Sequence, residues 1–267
     1  MAVALKASPG MHSETPSHSS INQSMTADVV GGLESLARAC RILEMEGHGD
    51  MSLGHLSWRD PQARGFWMKR NRIGLGEVLG AQDFVLIDFE GCKLLGEGGC
   101  HSEWPIHSEI LRNRPEVMMV AHTHPLHASV LSGAPQPIEP FMLDADYLDA
   151  LPFHADPLAL IVTRDEGQAL AQSLGTAYAV LIGNHGVAFC GRSIEHGTCV
   201  GVFLEKAARA HLLGLSAGLR ARALSAPVRA RRHAQVMTPV HVEHSWNYFN
   251  RKLDALAAER GAVALYR

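Results

Sequence analysis

The chain is poor in several things, and each shortage excludes something. Cysteine appears five times in 267 residues, at Cys40, Cys92, Cys100, Cys190 and Cys199, an odd count with no CxxC spacing. A small disulfide-stapled scaffold is excluded, and a reduced, cytoplasmic setting is the expectation. No stretch of about 18 uninterrupted apolar residues occurs, so no membrane span and no membrane partner are expected. Neither sign of charge dominates: 24 Lys and Arg stand against 27 Asp and Glu, a net charge of −3. That balance gives no electrostatic grip on nucleic acid. The first two dozen residues lack both the apolar core of a secretory signal and the arginine-rich pattern of a transit peptide. Their Ser, Pro and His content predicts a flexible tail over 1–27, ahead of one domain over 28–267 that ends in a helical extension.

What the sequence has is a large apolar fraction, 46%, ample for a core at this length, and an excess of histidine, 16 residues. Apolar residues recur at helical spacing from Val29 to Glu46 (Leu33, Leu36, Ala37, Cys40, Leu43), stopped by Gly47-His48-Gly49-Asp50. Short apolar runs at Leu53–Trp58, Gly65–Lys69, Phe84–Phe89, Lys93–Leu95 and Val117–Thr123 predict strands. A short helix is expected over Pro105–Arg112. Further on, strands are predicted at Leu158–Val162, Ala179–Ile182 and Val187–Cys190. Helices are predicted at Glu166–Leu174, from a Ser193 cap to about Leu213, and over Pro239–Glu259. The Arg- and Ala-rich segment 219–232 between the last two reads as a mobile or partner-facing connection. Mixed helices and strands without strict βαβ alternation predict an α/β fold: a three-layer αβα sandwich around a central, mostly antiparallel sheet.

Three histidine-bearing stretches carry the chemistry. In Ala121-His122-Thr123-His124-Pro125, a strand that runs through residue 124 puts positions 122 and 124 on one face, which suits chelation of one ion. Gly183-Asn184-His185-Gly186 places an imidazole in a tight turn between two strands. Cys100-His101-Ser102-Glu103-Trp104 enters a helix, so Glu103 is either an N-terminal cap or a general acid/base beside a metal. His107, four residues on, shares its helical face and is placed to support Glu103.

Taken together, Ser102-Glu103-Trp104 with His107, Arg114-Pro115-Glu116-Val117 leading into His122-Thr123-His124, and Asn184-His185-Gly186 resemble the class II aldolase/adducin family, typified by fuculose-phosphate aldolase. Gly54-His55-Leu56-Ser57-Trp58-Arg59-Asp60 resembles that family's glycine-containing loop and strand. The resemblance runs from about Leu33 to Leu213. It implies that His122, His124 and His185 hold one divalent ion per subunit, zinc first on ligand type with Mn, Fe or Co as alternatives. It implies that Glu103 moves the proton while the ion stabilises an enediolate. It also implies a homotetramer with sites between subunits, to which the loop carrying Asp144, Asp146 and Tyr147, and Tyr248 and Arg251 near the C-terminus, could contribute.

The departures from the family pattern bear on substrate. Phosphosugar members typically show Gly-Asn in the first loop and Ser-Ser before the catalytic Glu; here Gly54-His55 and His101-Ser102 stand there. A Thr-Pro-Thr-Gly-like segment is replaced by Met68-Lys69-Arg70-Asn71-Arg72, which adds cations suited to a planar carboxylate. The resulting expectation is a metal-dependent carbon–carbon lyase, an aldolase or decarboxylase. Its substrate would be a non-phosphorylated hydroxy- or oxo-acid, aromatic acids included. His55, Lys69, Arg72, His101, Ser102, Tyr147 and Tyr248 are the candidate substrate contacts. The alternatives are a sugar-phosphate aldolase or epimerase and an Fe(II)-dependent oxygenase of an aromatic acid, since the sequence also resembles relatives in aromatic-acid biosynthesis. An adducin-like interaction module without chemistry is a further rival.

Overall fold

The computed structural model describes residues 25–134, 136–155 and 160–260. The tail expected over 1–27 therefore lies almost wholly outside the described residues. Helix α1 (Ala27–Leu43) starts at Thr26, whose hydroxyl accepts the Val29 N–H. Its predicted apolar face, Leu33, Leu36, Ala37, Cys40 and Leu43, is wholly buried. The helix widens into a π-turn over Glu44–His48, which carries His48 into the interior.

Eight strands form one sheet: β1 (His55–Arg59), β2 (Phe66–Lys69), β3 (Phe84–Ile87), β4 (Lys93–Leu95), β5 (Met119–Thr123), β6 (Phe153–His154), β7 (Ala179–Ile182) and β8 (Gly186–Gly191). Their order is β4-β3-β2-β1-β5-β8-β7-β6, antiparallel throughout except for the β6–β7 pair. Alternate residues feed opposite faces, as the strand period of two requires. Trp67, Leu86, Met119, Ala121 and Phe189 pack with α1 and with α5 (Ile194–Ser216). Phe66, Met68, Val85, Ile87, Val120 and Ala188 pack with α2 (Trp104–Asn113) and α4 (Arg164–Leu174). This is the expected three-layer sandwich around a mostly antiparallel sheet. Three more α-helices, α3 (Leu126–Ser132), α6 (Ala226–Val236) and α7 (Pro239–Arg260), join short 3₁₀ turns at Leu75–Glu77, Ala81–Asp83 and Leu143–Tyr147.

Two expectations need correction. The strand predicted at Leu158–Val162 does not form over residues 160–162; Leu158 and Ala159 lie outside the described residues. The Ile161 N–H donates to the Glu103 side chain and the Val162 N–H to Glu166, so neither joins a ladder. The edge strand is Phe153–His154 instead, parallel to β7. The segment 219–232 is also not a plain connection. Helix α6 begins within it at Ala226, and Arg232 forms an ion pair with the buried Asp146.

The close approach of β8 to α5 depends on missing side chains. A Cβ on Gly191 would collide with the backbone nitrogen of Gly197 in the first turn of α5. Gly191→Ala should therefore lower the unfolding free energy by about 1–3 kcal/mol, the usual cost of overpacking, read as a fall in urea midpoint at unchanged slope.

Candidate metal centre and active-site cleft

Antiparallel pairing puts the ends of one strand beside the starts of its neighbours. β5 ends where β1 and β8 begin, with His55 opposite His122 and Thr123 opposite Val187. The β7–β8 turn arrives at the same edge, with Asn184 in the left-handed region at φ 54°. The Asn184 N–H donates to the Ser132 carbonyl and the His185 N–H to Ile182, which fixes the turn. Gly186 is needed here because a Cβ would press on the His124 ring and the Thr123 carbonyl.

The three histidines of the sequence motifs meet at this edge. His122 Nε2 lies 3.0 Å from His124 Nε2 and 3.3 Å from His185 Nε2. His122 Nδ1 donates to the Val187 carbonyl at 3.0 Å, and His124 Nδ1 donates to Asp50 Oδ2 at 3.0 Å. Burial, and then the neighbouring rings His124 and His185, hold His122 well below the usual imidazole range. Burial pushes His185 down to about 4, with His124 adding to the shift. A neutral ring whose Nδ1 carries the proton has a bare Nε2. Bare lone pairs facing each other at 3.0 Å repel, and a cation at their focus removes the repulsion. Nitrogens held tetrahedrally at about 2.0–2.1 Å from one zinc stand roughly 3.3–3.4 Å apart, close to these separations. The donor set fits a divalent ion, with carbonyl and carboxylate partners fixing the rings of His122 and His124 from behind.

Glu103 occupies the N-cap position of α2, yet its side chain caps nothing. It accepts the Ile161 N–H at 3.0 Å and turns toward the histidines, with Oε2 3.7 Å from His122 Nε2 and Oε1 4.0 Å from His185 Nε2. Desolvation raises its pKa, and the Ile161 amide only partly offsets this. The capping reading of Glu103 is thus not met, and its carboxylate faces the histidine cluster instead.

A cleft of about 1000 Å³ opens over these groups. Its lining includes His55, His101, Ser102 and Glu103, together with Leu53, Leu126, Val130 and Leu160, all four of the last substantially exposed. The His55 and His101 rings touch, with centroids 4.4 Å apart. His107 does not support Glu103 as its spacing suggested. It lies under β1 and bonds His55 and Ser57 instead.

The cationic loop does not line the cleft of a single protomer. Lys69 is fully buried and its ammonium donates to the carbonyls of Ile73 and Arg70; desolvation pushes its pKa down to about 8. Arg70 pairs with Asp83. Arg72 is exposed in a turn at φ 64°. Tyr147 stacks on Phe203 of α5, and Tyr248 is exposed on α7; neither lines the cleft. His127 bonds Glu205 and takes no part in the centre. Two contributors escaped the sequence motifs: Asp50, behind His124, and His48, whose Nδ1 meets the Thr123 hydroxyl. Their one signal is the glycine-flanked Gly47-His48-Gly49-Asp50 segment, which also reads as a helix stop.

A profile of the class II aldolase and adducin N-terminal domain matches residues 34–212. Among characterised sequences, the meiotically up-regulated gene 14 protein of Schizosaccharomyces pombe is 26% identical over 188 residues, 68% of this chain and 72% of that protein. The 3,4-dihydroxyphthalate decarboxylase of Arthrobacter keyseri is 28% identical over 209 residues, 70% of this chain and 80% of that enzyme. An aldolase II superfamily protein from Pseudomonas syringae shares the fold, with a TM-score of 0.79 over 92% of this chain and 99% of its own, at 22% identity.

Two outcomes follow from the centre. His122→Ala and His185→Ala should each lose bound divalent metal in metal analysis of the purified protein, and Asp50→Asn should bind it about 10–100-fold more weakly. Acid should also loosen the fold. Burial holds His48 at about 4 and His107 at about 3, whereas both return to about 6.5 when unfolded. The unfolded chain then binds more protons, so stability is full above about pH 6.5 and falls as pH drops toward 4 and then 3. The urea midpoint measured from pH 7 to pH 4 reads this directly, and substituting His48 by Gln should flatten the profile.

Proposed function

The chain belongs to the class II aldolase and adducin family, and on that premise we propose that it is a metal-dependent carbon–carbon lyase acting on a non-phosphorylated acid. The observation that carries the substrate class is that His55 and His101 line the cleft, at the places where phosphosugar members carry small polar groups. Beside the imidazoles, a phosphate dianion would meet the hydroxyls of Ser102 and Ser129, the Asn184 amide and the like-charged carboxylates of Asp50 and Glu103. Ring surfaces together with the exposed apolar residues Leu53, Leu126, Val130 and Leu160 suit a planar, aromatic acid. The decarboxylase relative of Arthrobacter keyseri, whose name gives a dihydroxylated aromatic diacid, supports the same class.

His122, His124 and His185 would hold the ion, which supplies Lewis acidity where negative charge develops beside the breaking bond. Glu103 stands next to that focus, desolvated and poised to pass a proton to the carbon left by the departing group. Ser102 and Asn184 line the cleft within reach of an acid's oxygens. The apolar rim at Leu126, Val130 and Leu160 is exposed in one protomer. We read it as covered by a neighbouring subunit in a homotetramer, the arrangement that would bring Arg72, Tyr147 or Tyr248 to a site from outside. The five cysteines are free, which suits a reducing compartment such as the cytoplasm. Among the described residues no helix is long and apolar enough to cross a membrane.

Glu103→Gln should retain fold and zinc while turnover falls by about 10²–10⁴-fold. The assay is carbon dioxide or aldehyde release under anaerobic conditions, over a panel of hydroxylated aromatic acids and sugar phosphates. Turnover only on sugar phosphates overturns the substrate class, and strict dependence on oxygen overturns the lyase. Sedimentation at micromolar concentration should give a mass near four chains.

A further inference from the structure

Beneath the lining of the cleft runs a chain of buried polar contacts: Ser57 Oγ to His107 Nδ1 at 2.6 Å, and His107 Nε2 to His55 Nδ1 at 2.7 Å. All three residues are buried, and the His107 ring lies stacked on Phe66, which fixes its plane. The far end of the chain sets its direction. Among the described residues the Ser57 hydroxyl has one hydrogen-bond partner, His107 Nδ1. A hydroxyl that accepted from that nitrogen would leave its own O–H buried without an acceptor, a costly orphan. Ser57 is therefore the donor, and His107 Nδ1 is bare. Burial holds His107 at about 3, so the ring is neutral and carries one proton. That proton sits on Nε2 and goes to His55 Nδ1. With Nδ1 accepting, the proton of His55 is on Nε2.

The near end agrees. His55 lines the cleft, and its Nε2 lies 4.0 Å from Glu103 Oε2, so an N–H there meets a carboxylate instead of setting one lone pair against another. His55, Glu103 and His122 offer ligand atoms within 4.8 Å of one another, a second grouping with the reach to hold an ion. A protonated Nε2 has no lone pair for a metal, so His55 stands beside the ion's place and is not a ligand. The 4.0 Å gap is too long for a direct hydrogen bond, yet one oxygen about 2.8 Å from each side bridges it. That oxygen must accept from His55 and donate to Glu103. A hydroxyl does both; a carbonyl, an ether or a fluorine cannot donate.

We propose that Ser57, acting through His107, fixes His55 as an N–H donor, and that His55 and Glu103 together grip one substrate hydroxyl between them. This rests on the proposed acid-binding lyase and narrows its substrate to acids that carry an O–H within reach of the pair. His55 is the contact; Ser57 and His107 are positioning residues that act only through it. When the hydroxyl gives its proton to the Glu103 carboxylate, the negative charge passes to the substrate oxygen, and the His55 N–H stays to hold it.

The test has two arms. Nitrogen-15 NMR of histidine-labelled, metal-free protein should show His55 and His107 each with a protonated Nε2 and a bare Nδ1. Ser57→Ala removes the hydroxyl that starts the chain and should lower the Nε2-protonated fraction of His55; Ser57→Thr should restore it. Calorimetry on zinc-loaded protein then compares 2-, 3- and 4-hydroxybenzoate with the corresponding fluorobenzoates, which are close in size and cannot donate. At least one hydroxylated acid should bind about tenfold more tightly than its fluoro partner, the scale of one buried hydrogen bond. His55→Leu and Glu103→Ala should each erase that preference, and His55→Gln should restore part of it. An Nδ1-protonated His55, a tautomer unchanged in folded Ser57→Ala, loss of the His55 Nε2 proton on adding zinc, or no preference in any pair would each overturn the proposal. If no acid binds at all, the grip falls together with the acid reading. The NMR arm uses neither metal nor turnover, so it reports the His55 donor separately from the fate of the lyase reading.

Discussion

The structure turns on the repulsion between imidazole lone pairs. The nearest nitrogens of His122, His124 and His185 stand 3.0 and 3.3 Å apart, with protons drawn off to Val187 and Asp50 on the far side of two rings. Such an arrangement is costly without a positive charge at its centre, and the fold maintains it with its most rigid parts. Two ligands come from the end of one central strand, His122 within β5 and His124 just beyond it, and the third sits in a turn that needs a left-handed Asn184 and a side-chain-free Gly186. A long sheet closed on both faces by helices supplies the stiffness that holds mutually repelling groups in contact.

Two buried imidazoles around the centre give a proton to a backbone carbonyl behind them: Val187 accepts from His122 and Gly201 from His48. Burial keeps these rings neutral by excluding the water that would solvate a cation. The backbone of the sheet and its flanking loops thereby decides which nitrogen of each ring is bare. A histidine-rich composition becomes a set of oriented rings rather than a set of proton sinks.

Much of this was legible from local pattern. The buried face of α1 followed from spacing alone, because the helical period governs it; His122 and His124 do come together, although β5 ends at Thr123, one residue short of the strand that reading required. The turn carrying His185 was marked by its glycines. What stayed hidden depends on contacts distant in sequence. Asp50 reaches His124 across 74 positions, and nothing in a glycine-flanked acid announces that. The spacing of His107 from Glu103 is right for a shared helical face, yet the partner lies on the neighbouring strand, where Ser57 and His55 compete for the ring. Residues 160–162 have strand-like composition, but their N–H groups are claimed by Glu103 and Glu166 before any ladder forms. Lys69 and Arg72 show the converse: charge in a sequence says nothing of direction, and burial turned one ammonium toward carbonyls.

The contact between Ile161 and Glu103 ties a loop to a proton. The amide stabilises the ionised carboxylate, so by reciprocity the ionised carboxylate stabilises the loop, and neutralising one loosens the other. Leu160, the adjoining residue, forms part of the mouth of the cleft. The bond that holds Ile161 beside the mouth of the cleft is therefore strongest while Glu103 is ionised, and loss of that charge weakens it without abolishing it, since the neutral carboxyl still accepts through its carbonyl oxygen.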